Sequence, residues 1–496
     1  MSIPVVSKKS SFAATLRRLF LVEKMNNAIG IALLFLLSTG LAFAITTLGY
    51  KLGAVAIIGI YALPIVYAIV AYPKFGILVY FTFGYLIMWF LKLGVSFPLG
   101  TLMDGMVALF ILSLFVSQKK NGKDWSMFKG PITAFVLIWI VFNCLEVGNP
   151  VAASREAWVY TIRTVAIVMF NYFVFVYYIN TKQFIKLVLK FWIALALFAA
   201  LYAFKQQQVG FFPFEEEYLH SDPGIELLLF IGGVWRKFSI FSDPVAFAYN
   251  MVTVSFMCVA VYPIQKTRWK KIITFCLICF FLLVMLYSGT RGAYVLVPVT
   301  FLLLAILKFN KKVLITMLVG LGLGAALIVM PTNNQTIYRF QTAFKPSEDA
   351  SFNLRKINQK RIQPFILSHP IGGGLGSTGE WGKRFSPGTY LSNFPPDSGY
   401  VRVAVEQGWL GLFLFCCLMA SIMVIGVINY YKIKDPELKA FCLVGLLVVF
   451  ALNFGNYPQE ALVQFPSNII FYLATAFITI SRRIDTQQNE QEHARQ

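Results

Sequence analysis

Apolar segments of membrane-crossing length recur from one end of this chain to the other, separated by short polar loops. Runs near 28–48, 53–72, 76–91, 101–117, 131–147, 157–178, 184–204, 241–262, 272–288, 292–308, 312–330, 404–428, 438–454 and 462–480 each read as a transmembrane helix. Several are short for a helix that spans alone, so the pattern predicts an all-α polytopic membrane bundle of about 12–14 transmembrane helices. The alternation breaks twice. Residues 205–240 form one polar segment, and residues 331–403 form a longer one rich in Gly, Pro, Asn and Ser. A connection that long is usually functional or disordered. Trp381, Tyr390, Phe394 and Tyr400 argue for a folded one with short helices. The expected organisation is a basic tail over 1–26, transmembrane helices over 27–330, a large loop over 331–403, transmembrane helices over 404–480 and a tail over 481–496.

Composition sharpens this picture. The chain of 496 residues is 58% hydrophobic and 13% charged, with a mean hydropathy of +0.69. Soluble domains carry about 25% charged residues, so no separate soluble core is expected. The net charge of +21 invites a nucleic-acid reading. The basic residues are instead scattered through short loops, with no aromatic-interleaved platform, and nucleic acid is excluded as a partner.

Topology accounts for the charge. Most of the Lys and Arg fall in alternate loops: the tail with Lys8, Lys9, Arg17, Arg18 and Lys24, then Lys74, 119–129, 182–190, 266–271, 308–312, 432–439 and 482–495. The positive-inside rule then places both termini in the cytoplasm and both long loops outside. The N-terminus lacks a small-residue cleavage site, so it reads as a tail and not as a signal peptide. All seven cysteines lie in apolar spans, which leaves no disulfide framework and no zinc site in the long loop. Cys276 and Cys279 read as core packing.

Candidate chemistry concentrates in the outer segments. Arg291 sits in the tight hairpin Ser288-Gly289-Thr290-Arg291-Gly292. A cation at that depth either snorkels or faces an anion or cavity. Arg236-Lys237 precede Asp243-Pro244, a helix-start signal. Arg355, Lys356, Lys360 and Arg361 lie on one expected helix, which leads into the Gly-rich run Gly372–Gly376. That run has backbone N–H groups able to approach phosphate oxygens. It lacks the Lys-Ser/Thr ending of a nucleotide-binding loop. Gly320, Gly322 and Gly324 read as a helix-packing face. Arg163 and Asp104 are charges within spans. Glu215, Glu216, Glu217, His220 and Asp222 read as a solvated acidic loop. Asp397-Ser398, after Pro395-Pro396, stands at the outer end of a span. Asp397 reads as an ion-pair partner, a cap or a general base, and His369 as structural.

Taken in order, these blocks resemble the O-antigen ligase and O-antigen polymerase family of bacterial membrane glycosyltransferases. The likeness covers roughly residues 230–430. It rests on Arg355 lying fifteen residues before Pro370, on Gly372–Gly376, and on the polar pair Asp397-Ser398 followed after nine residues by Gly408-Trp409-Leu410-Gly411. The Ser288–Gly292 and Arg236…Phe241-x-Asp243-Pro244 blocks add to it.

The resemblance implies a GT-C-like fold in the bacterial inner membrane with its active face periplasmic. It implies an undecaprenyl-diphosphate-linked glycan as donor and a glycan or lipid-core acceptor, with no cofactor and no metal. Arg236, Arg291, Arg355 and Arg361 would bind the diphosphate, Lys237, Gly374 and Ser398 would line the substrate site, and Asp397 with Arg291 would carry catalysis. Family ligases carry His where this chain has Asp397, which points toward polysaccharide polymerases or a divergent ligase. A transporter or flippase of lipid-linked glycan or another anion is the alternative. The two related halves with broken helices expected of a transporter are not apparent.

Overall fold

A computed structural model describes residues 28–48, 66–94, 98–121, 125–231, 233–332, 335–342, 344 and 350–494. The chain divides into two compact units, Met1–Ala71 and Tyr72–Gln496. The first contains α1 (Ala28–Leu48). The basic tail and most of the expected span 53–72 lie outside the described residues.

Among its described residues the second unit's regular structure is helical apart from one short hairpin. Its apolar helices are α2 (Pro73–Lys92), α3 (Leu99–Asn121), α4 (Pro131–Leu145), α5 (Arg155–Val165), α6 (Phe170–Tyr178) and α7 (Lys182–Gln208). Two short helices, α8 (Pro213–Leu219) and α9 (Pro223–Leu229), precede the antiparallel pair β1 (Phe230–Ile231) and β2 (Val234–Trp235). Then come α10 (Pro244–Val261), α11 (Arg268–Leu286), α12 (Arg291–Leu307) and α13 (Lys311–Val329). The long loop holds α14 (Gln335–Thr342), α15 (Ala350–Ser368) and α16 (Gly379–Phe385). Last come α17 (Gly399–Lys432), α18 (Pro436–Gly455) and α19 (Ser467–His493).

Each expected apolar segment other than 53–72 falls on a helix. Among the described residues nine segments are long and apolar enough to cross a membrane, with Arg291–Leu307 and Met317–Val329 as shorter apolar helices. The expected span 157–178 is two helices, α5 and α6, joined by a 3-10 turn at Ile167–Met169. Asn171 Nδ2 bonds the Val168 carbonyl at this junction and also the Tyr80 hydroxyl. The apolar half of α19 gives way to Arg482 and Arg483, and the helix continues to His493.

Local sequence signals start the helices where expected. Asp243 caps α10 by accepting from the Val245 and Ala246 amides, with Pro244 at the first helical position. Asp435-Pro436 does the same for α18. Thr181 and Thr267 cap α7 and α11. Helices α10, α18 and α19 form the centre: α18 packs along α19, and α10 packs against both α11 and α18. In α10, polar Asn250, Thr253 and Ser255 are buried with the apolar side chains.

The basic loops gather at one end of the bundle. Lys74 lies over the Phe184 ring, Lys182 and Lys186 pair with Asp435 and Glu437, and Arg483 bonds the Val176 carbonyl. The other ends of the same helices carry the two long polar segments. There Gln206 bonds Glu215, Asn149 bonds the Ile371 carbonyl, and the Gly399 amide bonds the Asn456 carbonyl. Charge asymmetry read from the loops thus coincides with the two ends of the fold.

Candidate functional site

The segment after β2 and the hairpin between α11 and α12 are locked together. The Lys237 amide bonds the Tyr287 carbonyl at 3.1 Å. Arg236 is buried, and its guanidinium donates to the Ser288 carbonyl (2.8 Å), the Leu228 carbonyl (3.3 Å) and Thr290 Oγ1 (3.0 Å). Thr290 Oγ1 in turn donates to the Pro244 carbonyl at 3.1 Å. Gly289, at φ +60°, supplies the left-handed position that closes the hairpin. The result is a fixed platform for Arg291, the first residue of α12. Beside it Lys237 is buried over the Phe211 ring, 4.4 Å from its centroid. Burial pushes its ammonium below the usual lysine range, and Glu215 opposes that shift.

Tyr249 links this platform to the long loop. A side chain at Gly292 would meet the Tyr249 hydroxyl at 2.9 Å, and Pro458 flanks the same glycine. Arg355 lies within electrostatic reach of that hydroxyl. Arg355 also lines a small pocket with Asn358, Gln359, Phe394, Pro395, Asp397, Ser398 and Val401. Asn358 Nδ2 stands 3.5 Å from Asp397 Oδ2. Arg236 and Thr290 are bonded, Gly292 abuts Tyr249, and Arg355 shares a pocket with Asp397 within electrostatic reach of Tyr249.

The glycines explain the spacing of the remaining blocks. Helix α17 is two helices joined at Gly408, whose φ +68° and ψ −173° are open only to glycine. The nine residues after Ser398 are thus one short helix. The amides of Gly372, Gly373 and Gly374 donate to the carbonyls of His369, Val405 and Glu406, and the Leu410 amide donates to the Pro370 carbonyl. A Cβ on Gly408 would fall 2.1 Å from the Pro370 oxygen, and one on Gly374 would fall 2.4 Å from Ala152. The phosphate-like appearance of the run is misleading in this respect: these three amides are engaged within the protein, and the glycines permit close approach of two backbone segments. Ser398 is buried, and its hydroxyl accepts from the Val401 amide as the cap of α17.

One constellation is not among the candidates read from the sequence. Arg402 donates to Glu406 Oε1 (3.2 Å) and Glu460 Oε2 (2.6 Å), and Thr378 Oγ1 donates to Glu406 Oε1 (2.6 Å). The three charged residues line a pocket behind the Asp397 segment, with Gly399, Gln407 and Asn456. Burial pushes the Glu460 carboxyl above its usual range. Arg402 opposes this, and Glu406 and Asp397 add to it. The only trace in the sequence is an i,i+4 Arg–Glu pair inside an otherwise apolar helix.

Other candidates separate from this cluster. Arg361, on another face of α15, reaches the Tyr390 ring (5.8 Å) and is exposed. His369 stacks on Phe365, with centroids 4.0 Å apart, in keeping with a structural role. Arg163 and Asp104 pair with each other. Within the acidic loop Glu215 is not solvated: it is buried and accepts from Tyr202, Gln206 and the Phe212 amide. Cys276 and Cys279 face outward, not into the core. Open space surrounds Gly320, Gly322 and Gly324 among the described residues, so no close helix contact explains them.

No curated protein matches this chain. Residues 274–416 match the family model for O-antigen ligase, a stretch that runs from α11 through the Arg291 hairpin and the long loop to the first half of α17. Over that stretch the chain carries a domain similar to O-antigen ligases.

Proposed function

We propose that this protein is a GT-C-like glycosyltransferase of the bacterial inner membrane. It transfers or polymerises glycan from an undecaprenyl-diphosphate-linked donor onto a sugar hydroxyl at its periplasmic face. The observation that supports the reading is the pocket shared by Arg355 and Asp397, within electrostatic reach of Tyr249, which abuts the Arg236-latched hairpin that carries Arg291.

The chemistry follows from that arrangement. In the transfer step the acceptor hydroxyl oxygen bonds the anomeric carbon while the bond from that carbon to the phosphate oxygen breaks. Negative charge grows on the departing diphosphate. Guanidiniums held in place stabilise it bidentately and without reorganisation. Arg291 and Arg355 are assigned this contact. Arg236 acts by holding the hairpin that presents Arg291, since its three nitrogens each bond a protein acceptor. Asp397 takes the proton of the acceptor hydroxyl. Asn358 orients the carboxylate.

The test is transfer by purified protein with a lipid-diphosphate donor. Arg291→Lys keeps the charge but loses the planar fork, and is expected to lower turnover by roughly 100-fold, comparable to losing one oxyanion-stabilising donor. Asp397→Asn is expected to abolish turnover while donor binding persists. Unchanged turnover in Asp397→Asn removes it as the base. Donor binding and turnover both unaffected by Arg291→Lys would place the diphosphate elsewhere.

A further inference from the structure

At the opposite end of the bundle, the N-terminal turns of α7, α11 and α18 and the C-terminal end of α10 surround an open cleft. Lys186, Lys190, Lys266 and Lys270 line it, against one carboxylate, Glu437. Lys186 pairs with Glu437 at 2.8 Å. Lys190, Lys266 and Lys270 are exposed and have no acidic side chain at ion-pair distance among the described residues. Among the described residues the cleft therefore holds more positive than negative side chains, with Glu437 as its one lining carboxylate.

Its walls are not those of a soluble-anion site. Leu189, Ile193, Val261 and Phe441 line the cleft beneath the ammonium groups. Exposed Trp269 and Tyr262 neighbour the lining residues Lys270 and Val261 along the chain, and such side chains favour the headgroup level of a bilayer. On the next turns of α11, Ile272, Ile273 and Phe275 face outward, continuing an apolar surface away from the lysines. All four helices at the cleft are long and apolar enough to cross a membrane, and all have an end at this level.

We propose that this cleft binds the phosphodiester headgroup of an anionic phospholipid, with the acyl chains lying along the outward face of α11. Basic pockets between transmembrane helices recognise such headgroups by charge. A free phosphate would use the same ammonium groups but not the apolar walls. The site lies at the opposite ends of α10, which carries Tyr249, and of α11, which leads into the Arg291 hairpin, and it stands whether or not the proposed transfer reaction does.

The experiment uses the full chain in phosphatidylcholine nanodiscs with and without phosphatidylglycerol. Native mass spectrometry counts retained lipid, and thermal unfolding gives Tm. The wild type and a Lys190→Arg/Lys266→Arg/Lys270→Arg variant should retain phosphatidylglycerol and gain Tm from it. Replacing the same three lysines with Gln should weaken that retention by roughly 10- to 100-fold. The proposal is overturned if the Gln variant retains phosphatidylglycerol as well as the wild type, or if phosphatidylglycerol is held no better than phosphatidylcholine. It is equally overturned if inorganic phosphate alone, in phosphatidylcholine nanodiscs, reproduces the Tm gain, because the cleft then reads a soluble anion.

Discussion

Arg236 and Arg291 carry the same side chain with different tasks. Arg236 is buried, and its three nitrogens bond Ser288, Leu228 and Thr290, while Arg291 begins the helix that this latch holds. Glu460 illustrates how burial resets a residue. Its carboxyl is pushed above its ordinary value of 4.5 by desolvation, with Arg402 opposing. A raised carboxyl holds its proton more tightly in the folded state than in the unfolded chain. Its contribution to stability is complete below the unfolded value and is lost as pH rises through the folded one. Detergent-solubilised protein should therefore lose part of its thermal stability as pH rises from 4.5 toward neutrality, and Glu460→Gln should lack that component. Identical pH profiles for the two proteins would show that Glu460 is not the group responsible.

At the level of elements, the decisive joint is the backbone contact between residues 370–374 and 405–410. Gly408 is needed twice, once for its φ of +68° and once because a Cβ would collide with the Pro370 oxygen at 2.1 Å. Gly408→Ala should cost at least about 2 kcal/mol, the scale of one non-glycine residue forced into a glycine-only region. The measurement is thermal unfolding against Gly388→Ala, another positive-φ glycine with open space around it. Equal losses in the two would mean that strain alone, without the collision, accounts for the effect. The sequence showed these glycines as a spaced motif, and it suggested phosphate binding for the run at 372–376. What it could not show is that the amides would be taken by the Val405 and Glu406 carbonyls, because those partners lie some thirty residues away.

For the whole molecule, polarity runs from a lysine-rich end to an arginine-and-carboxylate end. The first is built by the loops at 74, 182–186, 435–437 and 483, and the second by the long segments and the Arg291 hairpin. If the lysine-rich end is cytoplasmic, then in a cysteine-replaced background Lys383→Cys should react with an impermeant maleimide on intact cells. Lys270→Cys should react only after lysis. The reverse pattern would turn the proposed active face inward and remove its access to a periplasmic donor.

Membrane residence, the helical class, the rough position of nearly every span and the charge asymmetry between loops were determined by the sequence alone. Each depends on local composition over one helix length, which the bilayer reads directly. The cap at Asp243 was legible for the same reason, being a signal a few residues long. The meeting of Arg236 with Thr290, of Gly292 with Tyr249 and of Arg402 with both Glu406 and Glu460 was decided only by tertiary structure. So was the gathering of four lysines from three helix ends into one cleft. Those contacts join residues remote along the chain, and it is helix packing, which no local pattern encodes, that chooses which helix ends become neighbours.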